Sequence, residues 1–166
     1  MAKVYWITGL SGVGKTPLAI KLKESLMKNH PTVLIDGDQV REILKLKLGN
    51  DKNSRLEVAY KYSNIIKLIV SQNINVVCAT ISLFHEIHDY NRKNFKQYCE
   101  ILIKKDIKKL ILEDKKNIYS KSLKDEDYAV GININPEYPK NPSFIFDFNK
   151  TVNLNSIVDK IIKFKI

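Results

Sequence analysis

The sequence predicts an α/β fold: five parallel strands alternate with helices that cover both faces of the sheet, and a helical lid spans about residues 113–131. Three observations carry that expectation. Apolar, strand-like runs at residues 3–8, 33–35, 74–81, 98–103 and 143–148 are each followed by a segment of helical periodicity, the alternation that builds a parallel sheet. The stretch Gly9-Leu10-Ser11-Gly12-Val13-Gly14-Lys15-Thr16 fits G-x-x-x-x-G-K-[ST] at every fixed position, between the apolar run Val4-Tyr5-Trp6-Ile7 and a helix-like segment. Finally, Glu113–Asp127 is rich in charge and has no strong apolar stripe, as a segment that opens and closes over a site would be.

The first strand, residues 3–8, is apolar on both faces, as a central parallel strand must be. The glycines of the following loop let successive backbone N–H groups converge on phosphate oxygens at the positive end of a helix. Gly9, Ser11, Gly12, Val13, Gly14, Lys15 and Thr16 are therefore the expected nucleotide-phosphate cradle. Lys15 supplies charge to the β- and γ-phosphates of ATP, and the Thr16 hydroxyl is a ligand for Mg²⁺. A glycine-rich turn with a chance lysine is the plainer alternative, and it accounts for neither the flanking elements nor the threonine. The first helix, Leu18 to Asn29, carries the stripe Leu18, Leu22, Leu26, and Pro17 sits where a first turn tolerates it.

Val33-Leu34-Ile35 is the second strand and ends in Asp36-Gly37-Asp38-Gln39-Val40-Arg41. Ligands gather at the carboxyl ends of strands in an open parallel sheet, so these two carboxylates and the arginine face the same crevice as the phosphate loop. Asp38 also reads as the N-cap of a helix over Val40–Lys47. A long helix follows over Ser54–Asn73, capped by Ser54 or Asn53, with Arg55 in its first turn, where a cation opposes the helix dipole and hints at another use. The third strand, Ile74–Ile81, leads through Ser82 into a helix over Glu86–Lys96. There His88 and Arg92 share a face, and His85 and His88 each read as a surface or capping side chain. Tyr98–Ile103 is the fourth strand, Asp106–Leu112 a short helix, Tyr128–Pro142 a loop and Ser143–Phe148 the fifth strand. Leu154–Phe164 closes the chain with Ile157, Ile161 and Phe164 turned inward.

At 166 residues the chain is a single domain able to bury its own core, and 44% hydrophobic residues fit a globular α/β protein. No apolar run reaches membrane-spanning length, and the N-terminus runs directly into a strand, so the expected compartment is the cytoplasm. Cys78 and Cys99 lie in strand-like runs and read as buried reduced thiols. The net charge of +10 raises the question of nucleic acid, but the lysines are spread along helices rather than interleaved with aromatics, so the excess is assigned to solvated faces and to attracting small polyanions. Association into a homodimer stays open.

A phosphate loop alone does not choose among GTPases, DNA-handling ATPases and small-molecule kinases. The chain has no N-K-x-D guanine signature, and its best phosphate-facing acid lies on strand two. A kinase needs an acceptor hydroxyl held in line, charge neutralised by Mg²⁺ and cations, and water excluded by a lid. Asp38, Arg41, Arg55 and the lysine-rich lid supply those parts, with Lys116 reaching the ATP phosphates.

Two blocks then resemble the adenylylsulfate (APS) kinase family of P-loop NTPases of the nucleotide-kinase type. Trp6 to Thr16 matches W-x-T-G-L-S-G-x-G-K-[ST], and Leu34 to Arg41 is similar to L-D-G-D-x-[VL]-R. Weaker similarity continues at Leu48-Gly49, Arg55 and Ile81-Ser82, in the lid at Asp114, Lys116 and Tyr119, and at Gly131-Ile132 and Asn141-Pro142. The resemblance implies transfer of the ATP γ-phosphoryl group to the ribose 3′-hydroxyl of adenosine 5′-phosphosulfate. It further implies Asp38 as the acid at the acceptor hydroxyl, Asp36 with Thr16 at Mg²⁺, Arg41 and Arg55 on the acceptor's 5′-phospho-anhydride, and Ile81 and Ser82 beside the acceptor. The chain departs from the family at the acceptor base, which the family stacks between two phenylalanines. Asn50 stands at one of those places and Ala129-Val130 at the other, with Tyr128 the nearby aromatic, so Asn50 and Tyr128 are the candidates for base contact. A capsule-pathway relative of similar motif, cytidine diphosphoramidate kinase, phosphorylates a cytidine nucleotide, and a smaller pyrimidine suits a pocket with a polar asparagine in place of a ring. Adenylyl and cytidylyl acceptors stand level on this evidence. A non-catalytic nucleotide-binding module and a polynucleotide kinase are the readings from other classes.

Overall fold

A computed structural model describes residues 1–43, 49–114 and 116–165. Its strands are β1 (Val4–Thr8), β2 (Thr32–Asp36), β3 (Asn75–Thr80), β4 (Tyr98–Lys104) and β5 (Phe144–Asp147). They form one parallel sheet in the order β2-β3-β1-β4-β5. The helices among the described residues are α1 (Lys15–Leu26), α2 (Gly37–Ile43), α3 (Lys52–Ser71), α4 (His85–Asn94), α5 (Ile107–Glu113), α6 (Ile118–Leu123) and α7 (Leu154–Lys163).

The position of β1 at the centre follows from its sequence. All five of its residues are buried, and Trp6, fully enclosed, is the largest side chain of the core. Burying an aromatic of that size is worth several kcal/mol, since truncating one to alanine costs about 3–5 kcal/mol. Right-handed crossovers then fix the layers. The chain steps outward from β1 to β2 and afterwards back across the sheet to β3 and β4, so the connecting helices fall on opposite faces. Accordingly α1 packs on the central strands with α7, while α3 pairs with α4. One consequence positions everything else: the carboxyl ends of β1, β2 and β3 open on the same edge of the sheet.

Several local expectations are corrected. The first helix starts at Lys15, directly out of the phosphate loop, rather than at Leu18, and Pro17 falls in its first turn. The cap of α3 is Asp51, whose carboxylate accepts from the backbone N–H of Asn53 and Ser54, not Ser54 or Asn53 themselves. Asp51 also accepts the Ser54 hydroxyl at 2.5 Å, so the serine that read as a cap is consumed by the aspartate that is one. Asp38 is likewise not an N-cap: α2 begins at Gly37, and Asp38 sits in its first turn, donating its backbone N–H to Asp36 Oδ1 at 3.0 Å. The expected helix over Val40–Lys47 is followed through Ile43, and 44–47 lie outside the described residues, as does Leu48. Phe164 stays 37% exposed, its ring edge against Phe144, so the last turn of the closing helix is only half-covered. Cys78 and Cys99 are buried free thiols as expected, and burial pushes the Cys99 thiol up to about 12. Among the described residues no helix is long and apolar enough to cross a membrane.

Candidate functional site

The phosphate loop depends on two glycines for distinct reasons. Gly9 has φ +154, and a Cβ on it would lie 2.5 Å from the Ile103 carbonyl, so the loop leaves β1 only by passing backbone-to-backbone against β4. Gly14 caps α1 in the left-handed region at φ 103. Lys15, partly buried beside this loop, donates to the Gly9 carbonyl at 2.9 Å and the Leu10 carbonyl at 2.7 Å. Its pKa is pushed down to about 8. Burial is the main cause and neighbouring Lys116 adds to it, while Asp38 and Asp36 pull the other way. From α6, the buried Tyr119 hydroxyl donates to the Ser11 carbonyl at 2.9 Å, so this helix holds the loop from outside. Asp114 in turn accepts the Tyr119 and Ser120 amides and starts α6.

Opposite the loop, at the end of β2, Thr16 donates its hydroxyl to Asp36 Oδ2 at 2.7 Å. Asp36 thus serves both the phosphate loop and the start of α2. A hydroxyl and a carboxylate adjacent to a phosphate cradle are hard oxygen donors of the kind Mg²⁺ takes alongside waters and substrate phosphates. The residues present therefore fit that ion. Among the described residues there is no cluster of three or more His, Cys, Asp or Glu side chains of the type that holds a metal without such help. Asp38 projects from α2 and forms an ion pair with Lys116, which lies just before α6.

These groups line one crevice of about 250 Å³. Its walls include Ser11, Gly12, Gly14, Lys15 and Thr16 on the phosphate side, and Asp36, Asp38, Arg41, Arg55, Ile81, Ser82 and Lys116 around the rest. Four cations face two carboxylates there, a balance that favours a ligand carrying several negative charges. Gly9 and Val13 complete the loop without lining the crevice, and Val13 is buried beneath it. Asn50 and Tyr128 also stand outside the lining. They meet next to Arg55, which donates Nε to the Asn50 carbonyl at 2.6 Å and Nη2 to the Tyr128 carbonyl at 2.8 Å. Burial and the nearby Arg41 lower the Arg55 pKa, with Asp127 and Asp38 opposing them. Arg41 donates to the Gly49 carbonyl at 3.2 Å.

The floor of the crevice shows residues that sequence reading missed. Thr80 ends β3 and shares a 2.8 Å hydrogen bond with Ser82, which holds an unusual φ of +26. Thr80 could have been found by applying the strand-end rule to β3 as well as β2. His88, expected at the surface, is instead 1% exposed, and its Nε2 lies 2.9 Å from the Ser82 carbonyl. Burial lowers its pKa to about 4, so the ring is neutral at ordinary pH and, facing a carbonyl, carries its proton on Nε2. Tyr62 donates to the Gly37 carbonyl at 2.7 Å and walls the crevice beneath α2. His85 is half-exposed, with Nε2 2.9 Å from the Tyr138 carbonyl, consistent with the surface role expected of it.

Comparison with known proteins gives this geometry its context. The family model described as adenylylsulphate kinase matches residues 1–147. The cytidine diphosphoramidate kinase of Campylobacter jejuni is 38% identical over 162 residues, covering 96% of this chain and 94% of that protein. The adenylyl-sulfate kinase of Bacillus velezensis is 31% identical over 153 residues, covering 90% and 78% respectively. Among solved structures, the Mycobacterium tuberculosis APS kinase CysC in complex with AMPPNP and APS superposes with a TM-score of 0.85 at 25% identity, over 97% of this chain and 95% of that one. With a phosphate loop, Asp36 at the end of β2, Asp38 on α2 and Lys116 around one crevice, and with relatives that are kinases, the chain belongs to the adenylylsulphate kinase family of phosphotransferases.

Proposed function

We propose that this chain transfers the γ-phosphoryl group of ATP to the ribose 3′-hydroxyl of a nucleoside 5′-phospho-anhydride. The observation that carries the reading is the convergence of Lys15, Asp38 and Lys116 on one crevice, with Arg41 and Arg55 at its acceptor side. The loop amides and Lys15 hold the ATP phosphates. Mg²⁺, held through Thr16 and Asp36, would neutralise charge between the β- and γ-phosphates. Asp38 accepts the proton of the acceptor hydroxyl as the new P–O bond forms and the β–γ bridge breaks, with ADP leaving. The ion pair between Lys116 and Asp38 gives the lid its part: incoming phosphate draws Lys116 away, which exposes the carboxylate to the acceptor and leaves the lysine on the transferring group. Such chemistry depends on positioning and electrostatics, which this residue set supplies. ATP and Mg²⁺ as co-substrates fit the cytoplasm.

For the acceptor, two observations favour cytidine diphosphoramidate. The place where a stacking ring would stand is taken by Asn50, which lies outside the crevice lining with its amide spent on the Asp127 carboxylate at 2.8 and 3.0 Å, so a polar pair stands there instead of an aromatic face. The 38% identity to the Campylobacter jejuni cytidine diphosphoramidate kinase supports the same acceptor, and capsule biosynthesis is the pathway proposed with it. Adenosine 5′-phosphosulfate is the second reading, supported by the family model and the adenylyl-sulfate kinase relatives. The test is ADP release with each acceptor, with the product's phosphorylation site read by NMR. A kcat/KM at least tenfold higher for the cytidine acceptor is expected, and the opposite order would reverse the assignment. Asp38→Asn should lower kcat by about 100-fold or more while ADP affinity survives. Turnover at the wild-type rate would remove Asp38 from the mechanism.

A further inference from the structure

The arginine on the acceptor side does not stand alone. Arg55 is held by two carbonyls from segments distant in the chain: Asn50 just before α3, and Tyr128 just after the lid helices. These bonds occupy two of its five N–H donors and fix the plane of the guanidinium, leaving the remaining edge to be aimed. What fixes the two carbonyls relative to one another is Asp127. Its carboxylate accepts the Asn50 side-chain amide on both oxygens and the Tyr128 backbone N–H at 2.7 Å. Its carbonyl accepts from Asn133 at 3.2 Å, and Asn133 accepts the Ala129 N–H at 2.7 Å, which stiffens the turn that presents Tyr128. The same short loop before α3 also receives Arg41 through the Gly49 carbonyl. One carboxylate outside the crevice therefore ties together the loop that holds both of its arginines and the turn that follows α6.

We propose that Asp127 is a positioning residue for the acceptor's anionic group: through Asn50 and the Tyr128 carbonyl it sets the direction in which Arg55 presents its free guanidinium edge to the crevice. This rests on the reading of Arg55 as the residue that meets the acceptor's phospho-anhydride. A misdirected guanidinium weakens acceptor binding without touching the phosphate loop, so the effect falls on one substrate only. It also makes the grip on the acceptor conditional on the placement of the lid's C-terminal end, because Tyr128 follows Asp127 directly.

The experiment is steady-state kinetics of full-length wild type, Asp127→Ala, Asp127→Asn, Asn50→Ala and the Asn50→Ala/Asp127→Ala double variant, with cytidine diphosphoramidate and adenosine 5′-phosphosulfate as acceptors, and thermal melting of each. The acceptor KM should rise about tenfold in Asp127→Ala and by less in the isosteric Asp127→Asn, with the ATP KM and kcat within twofold of wild type. The double variant should lose no more than the larger single loss, because both changes break one linkage. An unchanged acceptor KM in folded variants overturns the proposal. So does an equal rise in both KM values with a lowered melting temperature, which would make the cluster a fold latch only. Wild type that turns over neither acceptor defeats the functional reading itself and takes this proposal with it, an outcome visible before any variant is compared.

Discussion

Lys15 offers a test of the site that needs no turnover. Its ammonium is partly buried beside the phosphate loop, and burial lowers its pKa to about 8 against an ordinary 10.4 or so. The arrangement costs free energy in the ligand-free protein. A lysine whose folded pKa is depressed destabilises the fold below that pKa, and the penalty fades as pH rises from about 8 toward the unfolded value. A bound polyphosphate reverses the balance by placing negative charge against the ammonium and returning its pKa to the normal range. Nucleotide binding must therefore take up protons in the window between the two values. At pH 8.5 a group of pKa 8 is about 24% protonated and becomes nearly fully so when bound, so uptake is ~0.7 proton per ADP. At pH 7 it is only ~0.1. The same linkage weakens ADP affinity about tenfold between pH 7 and pH 9. Calorimetric titration of ADP with Mg²⁺ in two buffers of different ionisation enthalpy measures the uptake directly. Lys15→Arg, charged throughout this range, should abolish it while retaining a cation. Uptake below ~0.2 proton at pH 8.5 in the wild type would show that Lys15 is not desolvated as argued, and the account of its environment would fall.

Two further outcomes follow from particular contacts. Lys116→Ala removes the partner of Asp38 and a cation expected at the γ-phosphate, so the ATP KM should rise several-fold and kcat fall about tenfold or more, measured by coupled ADP release; wild-type values for both would separate the lid lysine from transfer. Arg92→Ala leaves Glu100, 2% exposed and with its pKa raised chiefly by burial, without its ion-pair partner. Because Arg92 is itself 31% exposed, the expected loss at pH 7 is about 2 kcal/mol rather than the larger figure for a fully enclosed pair. That loss should shrink as pH falls and Glu100 takes up a proton, and urea unfolding at pH 7 and pH 5 checks both the size and the sign.

How much of this could be read from the sequence depends on whether local chemistry or distant packing decides the position. The phosphate loop, the two aspartates at the end of β2 and the start of α2, and the parallel strands are each fixed by adjacent residues, through glycine conformation, strand-end geometry and apolar runs, and they stand where the sequence put them. Helix starts were less legible. Both Asp51 and Ser54 can cap α3, and only the folded geometry shows the serine hydroxyl spent on the aspartate. The cluster around Arg55 was hardest to foresee, because its logic is non-local. Asn50 meets Asp127 across 77 residues and Arg55 meets Tyr128 across 73, so no window of sequence contains the cluster. His88 failed for a related reason: a histidine on a polar helix reads as exposed until Ser82, at the end of a strand, turns its carbonyl toward it. The arginine after the α3 cap did carry a signal, since a cation in a first turn opposes the helix dipole and must be held by something else. In this chain the holders are two backbone carbonyls, and their spacing is set by a carboxylate that no motif contains. Loop and lysine come from a pattern many phosphate-binding chains share, whereas the direction of Arg55 comes from contacts this chain makes for itself. Choice among acceptors should therefore be sought at Asn50, Asp127 and Tyr128 before it is sought in the phosphate loop.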